Sequence, residues 1–433
     1  MRVTFYTLGC KVNQNETGAL AQLFEENGYT VVPNEEAADV YVVNSCTVTN
    51  FGDQKSRKWL RRAKRENPGA VTVLTGCYPQ AFPEEAAEIQ EADVVTGSGN
   101  RHAILADVTR VLNGEEVRVV DIRPHQKGEK FEELPMDKFA EHTRAFVKVE
   151  DGCNRQCAYC VIPRARGPVR SRDEASILEE LRRLAAAGYK EVVLTAISLP
   201  SYGTDSGTSL VELIEKAAAV EGIERIRLGS LDPDMLHDEA ITRMAAVKKL
   251  CPQFHLSLQS GCDKTLRAMR RPYTTAQFAE IAAKLRAAFG EENVSFTTDV
   301  IVGFPGESEE DFEASMAFVT GQRFLKVHVF PYSRREGTPA YDFPGQLPEH
   351  EKENRSRRMT AAVEEVRAAE VAAMQGCTAS VLLETPLSAT LFTGYTKQYL
   401  PVLVSAPGHK TGDIVKVTLG AWDGRRCRAE LAK

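Results

Sequence analysis

The chain has 433 residues, 43% hydrophobic and 26% charged, with a formal charge of −6. That mix excludes a disordered or fibrous protein, and at roughly 150 residues per domain it leaves room for about three domains. The negative charge excludes a generally basic nucleic-acid coat, so any RNA contact must come from local patches, and no run of about 18 apolar residues is present to span a membrane.

In chain order, residues 1–123 alternate short apolar runs at 3–7, 39–43, 71–74 and 93–96 with helical patterns at 15–26, 52–66, 84–89 and 101–112. Strand and helix in alternation predict an open α/β domain on a parallel sheet. Residues 124–142 are polar, charged and aperiodic, and read as a linker. Between 143 and 375 six strands are expected, at 145–149, 191–196, 225–228, 254–258, 294–300 and 325–330, with helical stretches such as 176–187 and 276–288 between them. Six βα units fit a partial (β/α)6 barrel, whose chemistry sits at the C-terminal ends of the strands. A last helix at 349–374 carries arginines expected on its exposed face. Residues 376–433 hold five short strands, at 381–384, 391–396, 399–404, 414–419 and 427–431, which predict a small antiparallel β-barrel.

The chain has ten cysteines, and its N-terminus lacks the apolar core of a signal peptide, which points to a reducing, cytoplasmic setting. There, clustered cysteines more often bind metal or do catalysis than form disulfides. The strongest signal is Cys153-Asn-Arg-Gln-Cys157-Ala-Tyr-Cys160, directly after the first barrel strand. Three thiolates at this spacing can hold three irons of a [4Fe–4S] cluster and leave the fourth iron open to the amino and carboxylate groups of S-adenosylmethionine. A zinc site is the alternative, and it lacks a nearby fourth ligand, since no histidine lies between Thr143 and Pro200.

Cys10, Cys46 and Cys77 each lie just beyond a predicted parallel strand. The carboxyl ends of such strands converge on one crevice, so the three face one another, either as ligands of a second cluster or as buried thiols. Cys251, Cys262, Cys377 and Cys427 share no pattern and read as ordinary reduced thiols.

The segments Thr7-Leu-Gly-Cys10-Lys-Val-Asn-Gln14, Asn44-Ser-Cys46-Thr-Val and Thr75-Gly-Cys77-Tyr78 resemble the N-terminal signature of the radical-SAM methylthiotransferases. Asp151-Gly-Cys153 through Cys160, Leu258-Gln-Ser-Gly261 and Asp299-Val-Ile-Val-Gly-Phe-Pro-Gly-Glu307 extend the resemblance through the barrel, and the tail resembles a TRAM domain. The resemblance implies two [4Fe–4S] clusters and S-adenosylmethionine. It implies a cytoplasmic, monomeric enzyme that meets the anticodon stem-loop of tRNA and takes electrons from a flavodoxin or ferredoxin. The opening TLGCKVNQ is similar to the branch that adds a methylthio group to C2 of N6-threonylcarbamoyladenosine at position 37. The alternatives are the branches acting on isopentenyladenosine or on a ribosomal protein side chain, and, in another class, a non-catalytic RNA-binding iron–sulfur protein. One stretch departs from the pattern: Ala196 and Pro200 stand where glycine is expected, in the loop after the second barrel strand.

Tyr159 matches the aromatic that packs by the cofactor's adenine in this superfamily, with a plain core aromatic as the alternative. Ser230, Gln259 and Asp299 lie at the C-terminal ends of strands three, four and five, where polar groups can bind the cofactor or simply satisfy the fold. Gly303 and Gly306 are expected to let the backbone approach it. Three basic patches suggest a phosphate footprint: Arg57, Lys58, Arg61 and Arg62, a run with almost no compensating acid before Glu66; Arg164 and Arg166, followed by Arg170 and Arg172; and Arg425, Arg426 and Arg428.

Overall fold

The computed structural model describes residues 1–134, 136 and 143–432. Residues 135 and 137–142 of the expected linker, and Lys433, lie outside the described residues.

The N-terminal part is a six-stranded parallel sheet: β1 (Arg2–Thr7), β2 (Thr30–Val31), β3 (Val40–Ser45), β4 (Val71–Gly76), β5 (Val94–Thr96) and β6 (Val119–Asp121), in the order β2-β1-β3-β4-β5-β6. Every residue of β3 and β4 is buried, which is why both read as unbroken apolar runs rather than alternating ones. The sequence shows four of these strands; β2 and β6, at two and three residues, are too short to carry a pattern. Helix α1 (Lys11–Glu26) follows β1, α2 (Asn50–Glu66) follows β3, and the short α3 (Cys77–Ala81) follows β4.

The second part contains β7 (Arg144–Lys148), a two-residue pairing of β8 (Glu150–Asp151) with β9 (Arg170–Ser171), β10 (Glu191–Thr195), β11 (Arg225–Leu228), β12 (Ser230–Leu231), β13 (Gln253–Leu256), β14 (Ser295–Val302) and β15 (Lys326–Pro331). The parallel order is β7-β10-β11 and β12-β13-β14-β15. β11 and β12 are one strand interrupted at Gly229, and an Ile226–Leu250 bridge ties the two sheets. Six strands therefore follow one another in space as in sequence, the arrangement of a partial (β/α)6 barrel. The open edge at β7 is covered by α1, where the Asn15 side chain donates to the Phe146 carbonyl at 2.5 Å.

The tail is a closed barrel of β16 (Thr378–Pro386), β17 (Leu391–Thr396), β18 (Pro401–Ser405), β19 (Ile414–Trp422) and β20 (Cys427–Leu431). It is not wholly antiparallel, because β18 and β20 pair in parallel. It docks on the N-terminal ends of the larger barrel's strands. Arg144 pairs with Glu384 at 2.7 Å, Arg227 donates to the Lys397 carbonyl at 3.0 Å, and Ser295 donates to the Gln398 carbonyl at 2.6 Å. In the long helix Glu349–Ala373 the arginines do not all face solvent: Arg355 is buried, 2.8 Å from Glu307 and 3.0 Å from Glu351. Among the described residues no helix is long and apolar enough to cross a membrane.

Candidate functional site

The cysteine loop of the barrel lies where β7 and β8 end. Gly152 joins it to Asp151, and the short helix Ile162–Arg166 closes it. The Arg155 N–H donates to the Cys153 sulfur at 3.4 Å, and the Arg271 guanidinium donates to the Cys157 sulfur at 3.3 Å. Burial and the neighbouring thiols push Cys153 up to about 11 and Cys160 up to about 12. Protonated thiols crowded together are the donor set that a cationic iron site converts to thiolates. Among the described residues no three Cys, His, Asp or Glu side chains close up tightly enough to ligate one ion. Thiolates bound to different irons of a cluster stand farther apart, so the donor chemistry fits a polynuclear group.

Beside this loop is a cavity of about 190 Å³ lined by Val48, Thr49, Cys160, Gln259, Asp299 and Phe330 among others. Tyr159 also lines it. Three of the six expected cofactor contacts thus share one space. Gln259 adopts φ +69, a conformation that non-glycine residues hold at a cost of about 1–3 kcal/mol and that clusters at functional sites. Ser230, Gly303 and Gly306 do not line the cavity. Ser230 is exposed beside His255. A Cβ on Gly303 would lie 2.4 Å from Lys352 Cγ, so this glycine makes room for the long helix. The Ala196–Pro200 departure is absorbed locally. Pro200 sits in the first turn of a 3-10 segment, where its missing N–H costs no bond, and Ser198 N–H donates to Glu150 at 2.9 Å.

Sequence reasoning did not foresee that the cavity joins both halves. Val48 and Thr49 stand two and three residues after Cys46, and the segment after β15 holds them. Arg335, buried, donates to Thr47 at 2.6 Å and pairs with Asp53 at 2.7 Å, and Asn50 N–H donates to Ser333 at 3.3 Å. The one available signal was apolar residues in polar company: Val48 and Phe330 of the lining are exposed, as is Phe51, two residues after Thr49.

Cys10, Cys46 and Cys77 converge as the strand ends require. Cys10 caps α1 and Cys77 opens α3, so only Cys46 sits in a loop proper. Side-chain clamps hold the three together. Asn13 donates to the Leu8 and Ser45 carbonyls at 2.8 and 2.9 Å; Ser45 donates to the Thr75 carbonyl at 2.6 Å and accepts from Tyr78 N–H at 3.1 Å. Gly9, at φ +109, brings the backbone against Cys46: a Cβ there would lie 3.2 Å from the Cys46 sulfur. Burial, with Cys77 and Cys10 adding, pushes the Cys46 thiol up to about 12.

Arg166 is not an RNA contact. It is wholly buried, and its Nε–H donates to the Cys77 sulfur at 3.1 Å. The same side chain reaches Asn13 at 2.7 Å, both oxygens of Glu16, and Asp151 at 3.3 Å. Burial would raise the Glu16 carboxyl, but Arg101, Arg166 and Lys148 outweigh it and hold Glu16 well below the usual carboxylate range. Arg170 and Arg172 are buried too.

The fold supplies acids that the α2 run lacks before Glu66. Arg57 pairs with Glu85 at 3.0 Å, Arg61 with Glu91 at 2.9 Å, and Arg62 with Glu66 at 2.8 Å. Lys58 is exposed and, like Lys55 and Arg65, has no ion pair among the described residues. Arg164 is exposed over the Phe82 ring, 5.4 Å from its centroid. Arg425, Arg426 and Arg428 are exposed on the last hairpin.

The radical SAM superfamily is matched over residues 147–319, and the family described as uncharacterized protein family UPF0004 over residues 2–97. The threonylcarbamoyladenosine tRNA methylthiotransferase MtaB of Bacillus subtilis is 39% identical, over 96% of this chain and 93% of its own length. The protein of that name from Aquifex aeolicus is 42% identical, over 82% of this chain and 86% of its own length. Among solved structures, the radical S-adenosylmethionine methyltransferase TsrM of Kitasatospora setae has a TM-score of 0.58 at 14% identity, covering 78% of this chain and 74% of that one. That likeness shows the shared fold alone. Radical SAM membership implies S-adenosylmethionine and one [4Fe–4S] cluster. The identity to the two bacterial enzymes, over 96% and 82% of this chain, shows that it belongs to the radical-SAM methylthiotransferase family.

Proposed function

We propose that this enzyme adds a methylthio group to C2 of N6-threonylcarbamoyladenosine at position 37 of tRNA, with Cys153, Cys157 and Cys160 holding one [4Fe–4S] cluster and Cys10, Cys46 and Cys77 a second. The observation that carries the reading is the cavity itself, which is bordered by Cys160 on one side and by the residues following Cys46 on the other. A base entering it meets Cys160 and the Val48–Thr49 segment that follows Cys46. The names of the relatives at 39% and 42% identity support the choice of nucleoside. When bound, the reduced cluster and S-adenosylmethionine supply a 5′-deoxyadenosyl radical for abstracting hydrogen.

The chain's own residues do the placing. Arg271 fixes Cys157, and Gln259, Asp299 and Tyr159 offer polar and aromatic contacts to what enters. The Arg335–Asp53 seam keeps the Cys46 loop at the cavity wall. Exposed Val48 and Phe330 of the lining, with Phe51 two residues after Thr49, suit splayed bases of an anticodon loop, and Lys55 and Lys58 one and two turns along α2 suit its phosphates. We read residues 1–123, 143–375 and 376–433 as three domains of a cytoplasmic monomer supplied with electrons by a flavodoxin or ferredoxin.

Mass spectrometry of tRNA nucleosides from cells with and without this protein tests the reading. Loss of 2-methylthio-N6-threonylcarbamoyladenosine is expected on deletion. Loss of the methylthio group from isopentenyladenosine instead would move the enzyme to that branch. Unchanged nucleosides, with no S-adenosylmethionine cleavage by the reduced protein, would favour a non-catalytic scaffold.

A further inference from the structure

The buried ion network between the two cysteine sets has more cations than it needs. Arg101, Lys148, Arg166 and Arg170 face Glu16 and Asp151, with Glu132 taking a share of Arg101. Glu16 already has Arg101 at 2.9 Å and Lys148 at 2.7 Å; Asp151 has Lys148 at 2.5 Å. Neither carboxylate requires Arg166, yet buried charges are kept where they are paired. The Nε–H of Arg166 is spent on the Cys77 sulfur at 3.1 Å. That leaves an anionic partner at Cys77 as the reason for the extra guanidinium.

We propose that Arg166 is a positioning residue that sets the reduction potential of the cluster held by Cys10, Cys46 and Cys77 and ties that cluster to the Cys153–Cys160 loop. The inference rests on the reading of those three cysteines as cluster ligands. Hydrogen bonds to ligating sulfurs and nearby positive charge stabilise the reduced, more negative state, and burial strengthens both effects. The planar fork makes the tie: Nε serves Cys77, one terminal nitrogen serves Asn13 and Glu16, and the other serves Glu16 and Asp151, two residues before Cys153. Arg271 makes the matching contact to Cys157, but its other partners, Asp232, Tyr273 and the Ser257 carbonyl, all belong to the barrel. Of these two buried guanidiniums, only Arg166 joins a cysteine of one set to a residue that leads into the other, Cys77 to Asp151.

The test uses the full-length Cys153→Ala/Cys157→Ala/Cys160→Ala protein, in which any reconstituted cluster belongs to the N-terminal cysteines. An EPR-monitored redox titration compares this parent with the same protein carrying Arg166→Lys or Arg166→Gln. Lysine keeps the charge and loses the N–H···S bond; glutamine loses both. The midpoint is expected to move to more negative values in both, and further in Arg166→Gln. Should either variant fail to hold iron, a second measurement needs no substitution at Arg166: in the parent grown with 15N-arginine, a hyperfine coupling from 15N to the reduced cluster is expected. An unchanged midpoint in variants that bind iron, or no 15N coupling in the labelled parent, overturns the proposal. A parent that takes up no iron refutes the second-cluster reading itself, a separate result.

Discussion

The Gly9→Ala substitution isolates the N-terminal cysteine site. At φ +109 a residue with a Cβ costs about 1–3 kcal/mol in backbone strain. The new methyl would also stand 2.9 Å from Cys46 Cβ and 3.2 Å from its sulfur, an overpacking cost of about 1–3 kcal/mol more. The total, about 2–6 kcal/mol, is comparable to or smaller than the 5–15 kcal/mol by which folded domains typically resist unfolding, so the chain should stay folded with a lowered Tm. Relief comes where the backbone is least held. Cys46 is tied from both sides, through Ser45 and through the Arg335 seam, so the turn carrying Cys10 is the part that yields. With Cys10 displaced, iron after anaerobic reconstitution should fall from about eight per chain to about four. Cleavage of S-adenosylmethionine to 5′-deoxyadenosine should continue, and methylthio transfer should fall to background. A folded variant with about eight irons and full transfer would refute the argument that Gly9 shapes a metal site.

Replacing Cys153, Cys157 and Cys160 together with Ala should leave about four irons and abolish reductive cleavage of the cofactor, as read by iron analysis and 5′-deoxyadenosine formation. The matching Cys10/Cys46/Cys77 variant should cleave the cofactor but transfer no methylthio group; normal RNA modification would make those cysteines structural. Glu150 is a pH probe of the fold. Burial raises its carboxyl to about 9, so the folded chain keeps a proton that the unfolded chain releases from about 4.5 upward. Its contribution is therefore most favourable below about 4.5 and declines as pH rises toward 9, by up to about 1.4 kcal/mol per unit, and Glu150→Gln should flatten the fall of Tm between about pH 6 and about pH 8. Removing Arg425, Arg426 and Arg428 together should weaken tRNA binding and flatten its log–log salt slope by up to about 2–3 units, read by filter retention across a salt series; an unchanged slope would assign the phosphate contacts elsewhere.

Chemistry written in local spacing was legible in the sequence, and chemistry written in partners was not. Cys153, Cys157 and Cys160 are neighbours in the chain, so their convergence needs no tertiary information. Cys10, Cys46 and Cys77 are distant, but parallel strands of one sheet align their ends, and that rule alone brings them together. No comparable rule existed for Gly303. A glycine in a cofactor-side loop and a glycine cut away for Lys352 look alike until the long helix is in place. The parallel pairing of β18 with β20 was hidden for a similar reason, since strand direction in a small barrel depends on which hairpin folds over which.

The basic patches show where this limit matters for RNA. A sequence lists charges, whereas a phosphate needs charges that nothing else has claimed. On α2, Glu85, Glu91 and Asp93 arrive from other segments and pair with Arg57, Arg61 and Lys64, leaving Lys55, Lys58 and Arg65 without ion pairs among the described residues. Arg164 and Arg166 stand two apart on one helical turn, and residues so spaced point away from each other. One turns out over Phe82 and the other turns in onto Cys77. The same local sequence thus supplies one arginine able to meet a polyanion in solvent and one that meets a buried thiol. The exposed basic surface is correspondingly narrower than the composition suggests: the exposed stripe of α2, Arg164 beside the cysteine loop, and the last hairpin of the tail.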